Sequence, residues 1–135
     1  EWFTKPNERT YVKYNGQIRN GIPNGEGVMT GRKIRYVGEW RFGKEHGKGV
    51  KTVGDESDAW NNKYEGQFKD WEWHGQGNFS VPSGQHIIGE FREHKPWETI
   101  EYDKDGGIIG KIVDGVQTIE NTLQMTPKLE VDESI

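Results

Sequence analysis

The sequence predicts an all-β protein built from a succession of antiparallel β-hairpins, and three observations predict it. Only 30% of the 135 residues are hydrophobic, yet the chain carries 6 Trp, 5 Tyr and 5 Phe, far more rings than a solvated tail would hold. Nineteen residues are glycine, which weakens helix interiors and permits turns and close backbone approach. Finally, a five-residue unit recurs as Tyr14-Asn15-Gly16-Gln17-Ile18, Tyr36-Val37-Gly38-Glu39-Trp40, Tyr64-Glu65-Gly66-Gln67-Phe68 and Ile87-Ile88-Gly89-Glu90-Phe91.

Residues 1–13, with Trp2, Phe3 and Tyr11, form a segment expected to cap one end or to add a strand. From Tyr14 each unit begins on a short strand: Tyr36, Gly38 and Trp40 alternate with Val37 and Glu39, so a period of two places ring, glycine and ring on one face. Nine and eleven residues beyond each lead glycine come Gly25 and Gly27, then Gly47 and Gly49, then Gly75 and Gly77. On the returning strand the pair Gly47 and Gly49 is expected on the ring-bearing side, where absent side chains leave flat slots for rings. Asn24-Gly25 and His46-Gly47 are expected to close the tight loops between the two strands. The polar stretch Asp55 to Lys63 lengthens one spacing and reads as a loop, and a truncated fifth unit starts at Ile108-Ile109-Gly110. Units starting near 14, 36, 64, 87 and 108 therefore cover residues 14–115. Beyond them Val116, Ile119 and Leu123 have helical spacing, predicting a short capping helix over about 116–125 that Pro127 ends, within a C-terminal cap and tail over 116–135. Strands lie about 4.8 Å apart, so with two per unit equivalent rings recur every ~10 Å.

These residues resemble the MORN repeat family, whose unit reads Tyr-x-Gly-(Glu/Gln)-(Trp/Phe), five residues, then (Asn/His)-Gly-x-Gly. Units one to three match it closely, unit four replaces the Gly-x-Gly pair by Glu98 and Ile100, and unit five stops early. The resemblance implies one elongated, twisted antiparallel sheet of hairpins. It also implies a scaffold that assembles through its ends and binds partners.

Composition and motifs narrow the function. There is no cysteine, which excludes disulfides, zinc–thiolate sites and cysteine nucleophiles. Neither a nucleophilic elbow nor a phosphate-binding loop occurs, so no enzymatic activity and no cofactor are expected. His46 and His74 occupy equivalent positions ~10 Å apart, too far to share a zinc, so no metal is expected either. Asp103-Lys104-Asp105-Gly106 lacks the remaining ligands of a calcium loop and reads as a turn. Glu39, Glu90, Gln17 and Gln67 share one repeat position, which points to a structural role. With no leader, anchor or lipidation motif in view, the cytoplasm is the default compartment.

Recognition is the expected activity. The first reading is a protein or peptide partner, a helix or an extended segment, in a groove lined by Tyr14, Tyr36, Trp40, Tyr64, Phe68 and Phe91. Trp71, Trp73 and Trp97 are read as loop tryptophans that either fold back as core or serve as contact anchors. The alternative is an anionic phospholipid surface: the stretch Arg19 to Lys51 carries eight basic and three acidic residues in a chain of net charge -4, and Arg32, Lys33, Arg35, Lys44, Lys48 and Lys51 would meet the headgroups. Nucleic acid is disfavoured by a pI near 5.6. Open sheet ends would allow a homodimer.

Overall fold

The computed structural model describes residues 2–4, 11–54 and 61–117. They form a single 11-stranded sheet in which every strand pairs with its neighbours in sequence, all antiparallel. The strands are β1 (Trp2–Thr4), β2 (Tyr11–Arg19), β3 (Ile22–Gly31), β4 (Ile34–Arg41), β5 (Lys44–Val53), β6 (Asn62–Lys69), β7 (Glu72–Ser80), β8 (His86–Arg92), β9 (Lys95–Tyr102), β10 (Ile108–Val113) and β11 (Val116–Gln117). Each unit is one hairpin, β2–β3 through β10–β11, and β1 adds a strand to the N-terminal edge. Ten inter-strand steps of about 4.8 Å extend the sheet to roughly 48 Å.

Two sequence expectations change here. The tight turns are not Asn24-Gly25 and His46-Gly47 but the two-residue tips Asn20-Gly21, Phe42-Gly43, Asp70-Trp71, Glu93-His94 and Asp114-Gly115, in all of which both residues have positive φ. That is the type I′ geometry whose twist matches a hairpin. Gly25, Gly47 and Gly75 also have positive φ, but inside β3, β5 and β7, where three residues of the returning strand oppose one of the first. They are bulge glycines. Secondly, Val116 and Gln117 pair with β10 as strand, so the expected helix does not begin there, and its remaining residues lie outside those described. The same holds for 55–60 of the polar insertion, whose last two residues, Asn62 and Lys63, belong to β6. Asp103 behaves as a turn residue, its carboxylate accepting from the Asp105 and Gly107 amides at 2.9 and 2.8 Å.

The register aligns Gly16, Gly27, Gly38, Gly49, Gly66, Gly77 and Gly89 into one unbroken row across β2–β8, ending on Thr99. Over this row lie the tyrosines. A Cβ at Gly49 would sit 2.5 Å from Cε1 and Cζ of Tyr36, and Gly27 and Gly77 are pressed in the same way by Tyr14 and Tyr64. The slots foreseen from the Gly-x-Gly pairs therefore exist at the second glycine, and each holds the ring of its own unit.

Candidate functional site

The ring-bearing face is a closed seam. Tyr14, Tyr36, Trp40, Tyr64, Phe68 and Phe91 are all 0–5% exposed. They alternate in edge-to-face contacts, Tyr14–Trp40 at 5.1 Å, Trp40–Tyr36 at 5.2 Å, Tyr36–Phe68 at 5.0 Å, Phe68–Tyr64 at 5.1 Å and Tyr64–Phe91 at 5.3 Å between centroids, the arrangement the ring quadrupole favours. The Tyr14, Tyr36 and Tyr64 hydroxyls donate to the carbonyl oxygens of Gln17, Glu39 and Gln67 at 2.6, 2.8 and 3.0 Å. Burial pushes the Tyr64 phenol up to about 12 and the Tyr36 phenol higher still, the latter helped by the Glu45 and Glu39 carboxylates. These six residues are brought together as the sequence indicated, but as a buried aromatic cluster rather than as the lining of an open groove.

The polar residue of each unit secures the bulge. Oε1 of Gln17, Glu39 and Gln67 accepts from the amides of Glu26, Lys48 and Gln76 at 2.7, 3.2 and 3.0 Å, passing where a side chain on Gly25, Gly47 or Gly75 would be. This fixes those glycines twice, by φ and by space. Successive hairpins are tied at their tips: the Gly43, Trp71 and His94 amides donate to the carbonyls of Pro23, Glu45 and Trp73 at 2.8, 3.0 and 3.0 Å.

One rung of the seam departs from the others. Where hairpin one packs Pro23 and Met29 and hairpin three packs Trp73 against Phe79, hairpin two holds the buried Glu45, with Lys51 Nζ at 3.0 Å. The remaining tryptophans separate. Trp73 lies in β7, stacked on Tyr64 at 4.5 Å and on His94 at 4.3 Å; Trp97 lies in β9 under the Arg92 guanidinium at 4.5 Å. Neither is a loop residue. Trp71 occupies a hairpin tip, edge-to-face with Trp40 at 5.8 Å between centroids, and stays 41% exposed.

The unit is now defined by ring, glycine, bulge cap and tip, and the MORN repeat family model matches it at residues 14–33, 36–55 and 64–86. The chain is a MORN-repeat protein. MORN repeats are a non-catalytic repeat module of interaction and membrane association. The hairpins β8–β9 and β10–β11 prolong the MORN sheet beyond the three matched copies. A search of the curated proteins found no match.

The basic residues drawn together by the sequence do not form one patch. Arg32 and Lys33 make the β3–β4 turn at the edge opposite the hairpin tips, Lys51 is tied to Glu45 on the ring face, and Arg35, Lys44 and Lys48 lie on the other face at three different levels. Sequence reading missed Phe42. It is 67% exposed at φ 49, directly before Gly43, with the Arg41 guanidinium 5.3 Å above its ring. The signal was present, since Phe42 stands in the tip dipeptide where hairpin one has Asn20, but placing the turn one bulge too late hid it.

Proposed function

We propose that this MORN array is a non-enzymatic scaffold that binds a protein partner. One observation carries the reading: Phe42 and Trp71 occupy hairpin-tip positions of positive φ while exposing 67% and 41% of their surface. The left-handed region costs a bulky L-residue about 1–2 kcal/mol, and Asn-Gly would turn the chain without that strain. Trp71 gains an edge-to-face contact with Trp40, but the surface both rings leave open, Phe42 above all, suits contact outside the chain, where aromatic anchors dominate binding energy. The buried rings contribute indirectly, by holding the tips at fixed spacing.

The test is affinity capture from native lysate with the wild-type chain and with a Phe42→Asn/Trp71→Gly variant whose fold is checked by circular dichroism. Specific partners should be lost with the variant, and an unchanged set would refute the reading. Attachment to anionic lipid draws less support, because its six cations are split between two edges and two faces. Sedimentation with phosphatidylserine vesicles checks it, and salt-sensitive pelleting would restore that alternative.

A further inference from the structure

The hairpin register builds a charged feature on the face opposite the rings. Each tip is flanked by a cross-strand pair: Arg19 with Ile22, Arg41 with Lys44, Lys69 with Glu72, Arg92 with Lys95, and Val113 with Val116. In the first four hairpins the first member lies five residues after its lead residue, an odd number, so these pairs project away from the rings; in the fifth, Val113 follows Ile112, which pairs with Thr99 of the glycine row, and so points the same way. All ten side chains are exposed. Four successive hairpins thus carry six cations and one carboxylate in a single stripe, a net charge of +5 in a chain whose total is -4. Beside the stripe lie two adjoining troughs of about 620 and 650 Å³. Arg19, Arg41 and Phe42 border the first and Arg41 and Lys69 the second, with Glu39 and His46 shared.

We infer that this stripe is a docking site for an acidic peptide segment in the polyproline II conformation, one of whose apolar residues packs on Phe42. The inference rests on the proposed scaffold role and names the partner's chemistry. Charge complementarity sets the sign, and spacing sets the conformation. Arg19, Arg41, Lys69 and Arg92 are two strands apart, ~9.6 Å per step. A polyproline II helix returns to the same side every third residue, after ~9.3 Å, so carboxylates at i, i+3, i+6 and i+9 stay within about 1 Å of the four cations. Seven residues of α-helix, just under two turns, advance ~10.5 Å and drift by nearly 3 Å over the same distance. Arg92 is already oriented, held by Glu90 at 3.0 Å and by the Trp97 ring. A flat anionic bilayer fits less well, because the adjoining tips present Asp70, Glu93 and Asp114 along the same edge.

The probe is a fluorescein-labelled (Glu-Pro-Pro)6 peptide, followed by fluorescence polarisation with the full chain, with (Lys-Pro-Pro)6 as control. Binding should be confined to the acidic peptide, weaken with salt, and fall at least tenfold in Arg41→Glu/Lys44→Glu. It should also fall several-fold in Phe42→Asn, a substitution that suits the turn and leaves the fold intact. No binding of the acidic peptide, binding indifferent to the charge reversal, or binding to phosphatidylserine vesicles in its place would each overturn the inference. A captured protein that depends on Phe42 yet ignores Arg41→Glu/Lys44→Glu would remove the stripe while leaving the scaffold role standing.

Discussion

Gly49→Ala should destabilise the sheet by about 3–5 kcal/mol, the cost of losing a core aromatic ring, although alanine normally improves a strand. Gly49 does not have a positive φ, so no backbone strain is involved, and the added methyl would stand 2.5 Å from Tyr36 Cε1 and Cζ. The ring cannot yield in place: it is fully buried, wedged between Trp40 and Phe68, and its hydroxyl is bonded to the Glu39 carbonyl. Expelling it forfeits about 150–250 Å² of burial and two edge-to-face contacts of about 0.5–1.5 kcal/mol each, together with a hydrogen bond of about 1 kcal/mol. The decisive comparison is made in a Tyr36→Ala background. There Gly49→Ala should become neutral or stabilise by about 0.5–1 kcal/mol, the ordinary backbone-entropy gain. Gly38→Ala should remain damaging, because its methyl would strike the Gly49 Cα and the Lys48 carbonyl oxygen, both at 2.5 Å. Guanidinium denaturation followed by tryptophan fluorescence gives the four values of each cycle. A cost below 1 kcal/mol for Gly49→Ala, or an equal cost with and without Tyr36, would refute the account of the ring slot.

Other expectations concern the tips, the ion pair and titration. Phe42→Asn should raise the melting temperature by a few degrees, as expected for relief of about 1 kcal/mol of left-handed strain with little burial lost. Replacing both members of the buried pair, Glu45→Leu/Lys51→Met, should leave stability unchanged or raise it by about 1–4 kcal/mol, whereas Glu45→Leu or Lys51→Met alone should be less stable than the double variant by denaturant midpoint. His94 is lowered below 6.5 by desolvation beside Trp73, with Lys51 adding to the shift and Glu72 opposing it. The unfolded chain therefore binds this proton first, so stability should hold above pH 6.5 and decline as pH falls from there through the folded pKa; the decline should shrink in His94→Gly when midpoints are compared across pH. For the buried phenols the sign is opposite at the other end of the scale: stability should be full below pH 10 and lost above it, and ultraviolet titration should find Tyr64 ionising near 12 and Tyr36 later.

The repeat and its faces were legible because glycine spacing and ring alternation are local. Tyr36, Gly38 and Trp40 needed only a period of two to be placed together. Turn position was harder, since Asn20-Gly21 and Asn24-Gly25 carry the same dipeptide and both glycines adopt positive φ, one in a tip and the other in a bulge. Only the pairing of Ile18 with Pro23 separates them. The burial of the rings could not be read from the sequence, because it depends on the partner each ring finds in the next hairpin. The basic stripe was equally hidden: Arg19 and Lys95 are 76 positions apart, and they fall in one line only because every hairpin turns at the same offset. Conversely, Lys44 and Lys51 look like neighbours in the sequence, yet the register sends them to opposite faces.

Every tyrosine in the zipper finds its aromatic neighbour one copy ahead, Tyr14 with Trp40, Tyr36 with Phe68 and Tyr64 with Phe91. Ile87 stands where a fourth tyrosine would be, so the relay halts at Phe91. Past that ring, β9 to β11 add to the main-chain ladder more polar contacts, Arg92 over Trp97, the Asp114 amide on the Glu98 carboxylate and Tyr102 stacked on His86. Cohesion is therefore graded along the molecule. An isolated hairpin would lose the ring contacts it makes with the next copy, and amide protons of β10 and β11 should exchange well before those of β4 to β7. The sheet should therefore open from β11 inward, and its length could change by whole copies without redesigning the copies that stay.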